Sequence, residues 1–257
     1  MKIAMFTILS RDFIIGYKIF MKSFLYNNPW FDLDLIILDI DLIEEHRTVC
    51  RNVYPNIIFR KPNYAVYRET NFSNTHPKLQ NTFYFLDAFC QYDYDKIISV
   101  DVDMIVLGSL EPVFRDTGDG ISGCKGYSRR KDRIVNQMNA GLFVIGKEFL
   151  NEKTYMDLIE ISKAGFSMPE QKTMNIYFDG RIDWIPKVYN CEKRMINTRK
   201  YRKLLSGMVV LHFVGLKPWQ NHSGCTPNEK GYEVYENMWW SWKNKPELEI
   251  APREKEL

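Results

Sequence analysis

Four short apolar runs in the first hundred residues restrict the fold of this chain more than any other feature. They are Ile3–Leu9, Leu33–Ile40, Ile57–Phe59 and Lys96–Val100. Runs this short, rich in Ile, Leu and Val, read as buried strands. The segments between them have a different period. Asp12–Tyr26 spaces Ile15, Ile19, Phe20 and Phe24 as one helical face, and Leu42–Asn52 is a polar helix. Pro77–Cys90 predicts a helix with Leu79, Phe83, Leu86 and Phe89 turned inward. Strand–helix alternation at this spacing implies an α/β fold with a mostly parallel sheet covered on both faces. In such sheets ligands bind at the carboxyl ends of the strands, at a topological switch point.

The fourth run delivers two carboxylates to such an end, in Asp101-Val102-Asp103, and Met104–Leu107 then re-enters the core. Side chains two apart on a strand share a face. Two hard oxygen donors on one face suit Mg²⁺ or Mn²⁺. The spacing alone is weak evidence, because Asp32/Asp34, Asp39/Asp41 and Asp93/Asp95 repeat it. Asp39/Asp41 is the rival to weigh, since it also ends a strand.

The second half is less regular. Asn139–Gly146 reads as a short strand entered through a small-residue turn. Lys147–Lys163 and Pro169–Phe178 read as helices, and Ile182–Tyr189 and Met208–Phe213 as strands. Tyr232–Trp242 puts Tyr232, Tyr235, Trp239 and Trp242 on one helical face, which packs or, less favourably, touches a membrane interface or acceptor sugar.

With 257 residues the chain suits one domain over 1–225 and a helical, charged tail over 226–257. Its net charge of +3 gives no ground for a nucleic-acid partner. The basic stretch from Lys193 to Lys203 reads as a solvated face or, more sharply, as a grip on a phosphorylated acceptor. Five scattered Cys without CxxC spacing point to free thiols in a reducing compartment. The N-terminal run has neither the length nor the cleavage site of a signal peptide, and nothing is long enough to span a bilayer. The expected location is cytoplasmic.

The strand Val209–Leu211 ends in His212-Phe213-Val214-Gly215-Leu216-Lys217-Pro218-Trp219. Here a borderline nitrogen ligand, a glycine that lets the backbone approach a phosphate, and a point charge suited to a diphosphate lie within six residues. This His-x-x-Gly-x-Lys-Pro-Trp segment, following an Asp-x-Asp strand, resembles glycosyltransferase family 8, which includes glycogenin and bacterial lipopolysaccharide α-glycosyltransferases. Asn139-Ala140-Gly141 resembles the family's Asn-Ala/Ser-Gly turn, and Glu170-Gln171-Lys172-Thr173-Met174-Asn175 its Asp-Gln-x-x-Leu-Asn segment. The Phe6-Thr7-Ile8 strand resembles the uridine-binding edge.

The resemblance implies a GT-A fold and retaining transfer of glucose or galactose from a UDP-sugar to a glycan or glycolipid acceptor, with Mn²⁺ as cofactor and Mg²⁺ as the alternative. It assigns Asp101, Asp103 and His212 to the metal, Gly215 and Lys217 to the phosphates, and Thr7 to the nucleoside. Phe13 or Tyr17 becomes the platform for uracil. Val102, Asn139 and Ala140 line the donor site, with Gln171 and Glu170 beside the reacting carbon. Two positions depart from the family. Glu170 stands where Asp is usual, and the basic residue expected on the helix before the metal strand falls by spacing at Tyr84, Lys78 serving only if the helix is displaced. A non-catalytic nucleotide-sugar-binding protein is the competing reading.

Overall fold

The computed structural model describes residues 1–195, 199–220 and 232–245, together with the backbone but not the side chain of Lys78. Its main sheet has seven strands: β1 (Ile3–Leu9), β2 (Asp34–Asp39), β3 (Ile57–Arg60), β4 (Lys96–Val100), β6 (Ile121–Ser128), β7 (Arg133–Gly146) and β8 (Ile182–Ile185). They lie in the order β3-β2-β1-β4-β7-β6-β8. The first four are parallel; β7 runs antiparallel to both β4 and β6. A smaller sheet joins β5 (Met104–Val106), β10 (Val210–His212) and β9 (Cys191–Glu192) in the order β5-β10-β9.

Alternation along each strand separates the core into two layers. On β1, Met5 and Leu9 face a cluster with Tyr17, Phe20, Met21 and Phe24 of helix α1 (Ile14–Asn27). Ala4 and Phe6 face the other side, with Phe83, Leu86 and Phe89 and with Tyr155, Leu158 and Ile159 of α4 (Glu152–Ser162). Each face of the sheet is thereby buried, as the continuous apolar runs require.

The expected helix over Pro77–Cys90 is a 3₁₀ helix instead. Phe83, Leu86 and Phe89 recur every three residues, and three residues per turn keeps them aligned over the sheet. Leu79 breaks that spacing and is exposed rather than inward. Lys147–Lys163 is likewise divided, a 3₁₀ turn over Lys147–Phe149 preceding α4, whose first turn is capped by Asn151 accepting from the Thr154 amide. Ile182–Tyr189 stops as a strand at Ile185, where Pro186 removes a ladder donor.

The expected turn at Asn139-Ala140-Gly141 lies inside the long strand β7. Two residues along β6, Gly123 to Lys125, are matched by five along β7, Phe143 to Met138, so the excess bulges out where the motif sits. β6, which the sequence reading did not identify, is the strand that exposes this shift.

Late in the chain, α7 (Glu233–Lys243) buries Trp239 and Trp242 in a third cluster with Ile19, Ile105, Leu211 and Phe213. The aromatic stripe is thus interior, and the described part of the expected tail is packed on the domain. The boundary placed at 225/226 lies outside the described residues. Among the described residues no helix is long and apolar enough to cross a membrane, and Cys50, Cys90, Cys124 and Cys191 are free thiols.

Candidate functional site

β1 and β4 are adjacent and parallel, with β2 on the far side of β1, so the chain reverses direction across the sheet between them. Asp101 and Asp103 follow the end of β4 at that switch point. The Asp101 amide donates to the Gly141 carbonyl (2.9 Å), which anchors the turn to β7. β10 pairs with β5 and brings His212 opposite Met104, beside the two carboxylates. His212 Nε2 lies 3.4 Å from Asp101 Oδ2 and 3.2 Å from Asp103 Oδ1. Lys217 Nζ pairs with Asp103 Oδ2 and reaches the Phe213 carbonyl at 3.3 Å.

One ligand atom from each of Asp101, Asp103 and His212 lies within 4.8 Å of the others, the only such cluster among the described residues. Two carboxylate oxygens and an imidazole nitrogen fit a divalent ion of the Mn²⁺ or Mg²⁺ kind. The Asp101 side chain is 30 % exposed and that of Asp103 only 3 %, so the approach to the cluster is from the Asp101 side. The rival pair is taken up internally. Asp39 accepts from Arg47, Lys61 and the Leu42 amide, and Asp41 from Arg11.

Electrostatics at the cluster follow from its burial. Desolvation would raise Asp103, but the charges of Lys217 and His212 outweigh it and hold the carboxyl well below the usual range. Asp101 moves up, through burial and the neighbouring Asp103. Burial alone would lower His212, yet the two carboxylates push it up to about 9.

From His212 a chain of hydrogen bonds leads to the other two motifs. Nδ1 lies 2.9 Å from Asn190 Oδ1, and Asn190 Nδ2 donates to Asn139 Oδ1 at 2.8 Å. Asn139 Nδ2 donates in turn to Gln171 Oε1 (3.3 Å), which also accepts the Ala140 amide (3.3 Å). Gln171 stands on α5 (Pro169–Tyr177), fixed to β7 by Asn175, which accepts from the Met138 amide and donates to its carbonyl. Asn190 is fully buried and was missed at the sequence level. A lone Asn after a strand carries no signal until the fold places it behind His212.

Glu170 is half-buried, with Oε2 enclosed and unpartnered among the described residues. Burial pushes it up to about 7, the nearby Thr82 hydroxyl opposing the shift and the negative Asp101 adding to it.

Other expected site residues sit as follows. Thr7 is buried, its hydroxyl donating to the Val100 carbonyl at 2.8 Å. The Val102 side chain faces the core, so it offers no side-chain surface to a ligand. Phe13 is half-buried and packs edge-on against Trp219 (ring centroids 5.6 Å apart). Tyr17 is fully buried, its hydroxyl on the Cys50 carbonyl, which removes it as a stacking platform. Gly215 has φ +89, a conformation that favours glycine, and the Arg194 guanidinium lies 3.0 Å from where a Cβ would be. Tyr84 packs among Tyr64 and Tyr67. The basic stretch is not one solvated face: Lys193 is buried and donates to the Leu216 carbonyl.

A seven-stranded mixed sheet with this Asp/Asp/His cluster at its switch point defines a GT-A glycosyltransferase fold. The glycosyl transferase family 8 model matches residues 4–223, and the chain belongs to that family. Among solved structures, the galactosyltransferase LgtC in complex with donor and acceptor sugar analogues superimposes with a TM-score of 0.69 at 19 % identity, covering 95 % of this chain and 98 % of that one. The glycosyltransferase GlyE of Streptococcus pneumoniae TIGR4 matches with a TM-score of 0.71 at 20 % identity, over 96 % of this chain and 61 % of that one. An uncharacterized protein of Acanthamoeba polyphaga mimivirus is 23 % identical over 228 residues, 82 % of this chain and 78 % of its own.

Proposed function

We propose that this glycosyltransferase moves a hexose, glucose or galactose, from a UDP-sugar to a glycan acceptor with retention of the α-configuration, using Mn²⁺ or alternatively Mg²⁺. The observation that carries this reading is the convergence of Asp101, Asp103 and His212 at a strand-end switch point with Lys217 beside them. Breaking a sugar–phosphate bond leaves negative charge on the departing diphosphate. A divalent ion bound by those three side chains would act there as a Lewis acid. Lys217 adds a fixed positive charge, and the left-handed backbone at Gly215 lets the chain approach the phosphates. The uridine would lie at the β1 edge near Thr7 and Phe13, and the sugar near Asn139, Ala140 and Gln171.

The state of Gln171 bears on mechanism. Both side-chain hydrogen bonds of Gln171 go to Oε1, and among the described residues nothing accepts from Nε2. An amide held this way keeps its N–H donors uncommitted and is a poor nucleophile. We therefore favour attack by the acceptor hydroxyl on the face the diphosphate leaves, its proton passing to the leaving diphosphate oxygen. Glu170 as a covalent nucleophile is the other route, and sugar trapped on Glu170 in the wild-type protein would establish it.

Incubation with Mn²⁺ and a panel of UDP-sugars tests the function. Metal-dependent UDP release with one donor supports it. Tight UDP binding with no release from any donor would favour a nucleotide-sugar-binding protein without turnover. Asp103→Ala is expected to abolish metal-dependent UDP binding.

A further inference from the structure

We propose that Asn190 is a positioning residue that serves the metal and the donor sugar together, holding His212 with one end of its amide and Asn139 with the other. This rests on the donor-site reading above. The direction of every bond in the chain can be derived from one main-chain donor. The Gly141 amide donates to Asn139 at 3.1 Å, so the atom it meets is Oδ1, and Asn139 is oriented by a group that cannot flip. The same Oδ1 is met by Asn190 at 2.8 Å, and that atom of Asn190 must therefore be its NH₂. Its carbonyl oxygen then faces His212 Nδ1 at 2.9 Å, and Nδ1 has to carry the hydrogen. Nε2 is the nitrogen left facing the Asp101 and Asp103 oxygens, where an ion would be held. Outer partners of this kind set the orientation and tautomer of a metal-binding histidine.

The far end of the chain has the same logic. With Oδ1 of Asn139 occupied by Asn190 and the Gly141 amide, its NH₂ is directed at Gln171 Oε1. Gln171 Nε2 is left uncommitted among the described residues. Asn190 is fully buried, so bulk solvent does not reach either bond. A group that must accept at one end and donate at the other can only be an amide here. This makes the two halves of the site separable by substitution.

Asn190→Asp keeps an acceptor for His212 Nδ1 and removes the donor to Asn139. Asn190→Ala removes both. Mn²⁺ alone, read by electron paramagnetic resonance, reports the first half. The affinity ratio of UDP-glucose and UDP-galactose to UDP, measured calorimetrically with Mn²⁺ at pH 8, reports the second. Asn190→Asp is expected to bind Mn²⁺ within about threefold of wild type, while any preference for the UDP-sugar over UDP collapses toward unity. Asn190→Ala is expected to weaken Mn²⁺ about 10- to 100-fold as well. Equal losses in both readouts for Asn190→Asp, as general destabilisation would give, overturn the proposal, as do two unchanged readouts. If Asn190→Ala does not fold, Asn190→Asp decides alone. A wild-type protein that binds neither Mn²⁺ nor UDP would instead overturn the donor-site reading, and this inference with it.

Discussion

The imidazole of His212 rests on the bare Cα of Gly141. A Cβ at that glycine would come within 2.3 Å of His212 Cε1 and 2.6 Å of Nδ1. The glycine of the Asn-Ala-Gly motif is therefore explained by close approach and not by a turn conformation, since its φ is not positive. Gly141→Ala must displace the ring of His212, a proposed metal ligand, in a packed site. We expect the variant to fold and to bind Mn²⁺ at least tenfold more weakly, by titration with the metal alone. Unchanged affinity would show that His212 is not a ligand.

Metal binding should depend on pH through the same histidine. Without metal, the carboxylates hold the His212 proton up to about pH 9. An ion bound at Nε2 must expel that proton. Below pH 9 the affinity for Mn²⁺ is then expected to rise about tenfold per pH unit, since one proton leaves per ion bound. Titrations at pH 6.5 and 8 check this, and a flat profile would count against the assignment.

Glu170 predicts a pH dependence of stability. Below pH 4.5 its carboxyl is neutral in folded and unfolded chains alike. Between 4.5 and about 7 the unfolded chain releases the proton while the folded chain keeps it, so stability falls as pH rises. Above 7 the folded chain carries a charge in an enclosed place. Glu170→Gln removes the effect. We expect the variant to gain about 2 kcal/mol over wild type between pH 4.5 and 8, half-burial discounting the full shift. Urea unfolding of both proteins at the two pH values measures it; parallel curves would contradict it.

Trp219 fastens the loop that carries Lys217 to the rest of the molecule. Its Nε1 donates to the Asp12 carbonyl at 3.1 Å, and its ring covers Gly16, where a Cβ would come within 2.6 Å. It also packs on Phe13 and on Trp239 of α7. Trp219→Ala is expected to cost about 2–3 kcal/mol, less than a fully buried Trp, lowering Tm by roughly 5–10 °C. UDP affinity should fall more than Mn²⁺ affinity, because Lys217 lies in the freed loop and the three proposed metal ligands do not. Equal losses would place the effect in global stability.

Much of this protein is determined by sequence alone. The strands β1 to β4 were legible because fully buried strands are written as short continuous apolar runs. The cluster of Asp101, Asp103 and His212 with Lys217 was legible because its motifs are contiguous and their chemistry is specific. What escaped had no local signal. The 3₁₀ form of Pro77–Cys90 depended on which of two close periods the sheet surface selects. The bulge that lifts Asn139 needed β6, and Tyr17 passed for a platform until packing enclosed it. Asp39/Asp41 matched Asp101/Asp103 in spacing and in strand-end position. The motif resemblance favoured the second pair, and the tertiary structure gives the physical reason, surrounding the first with Arg11, Arg47 and Lys61 and bringing a histidine to the second. Asn190 lay beyond sequence. A hydrogen bond between residues 22 positions apart is decided by where the strands between them are packed.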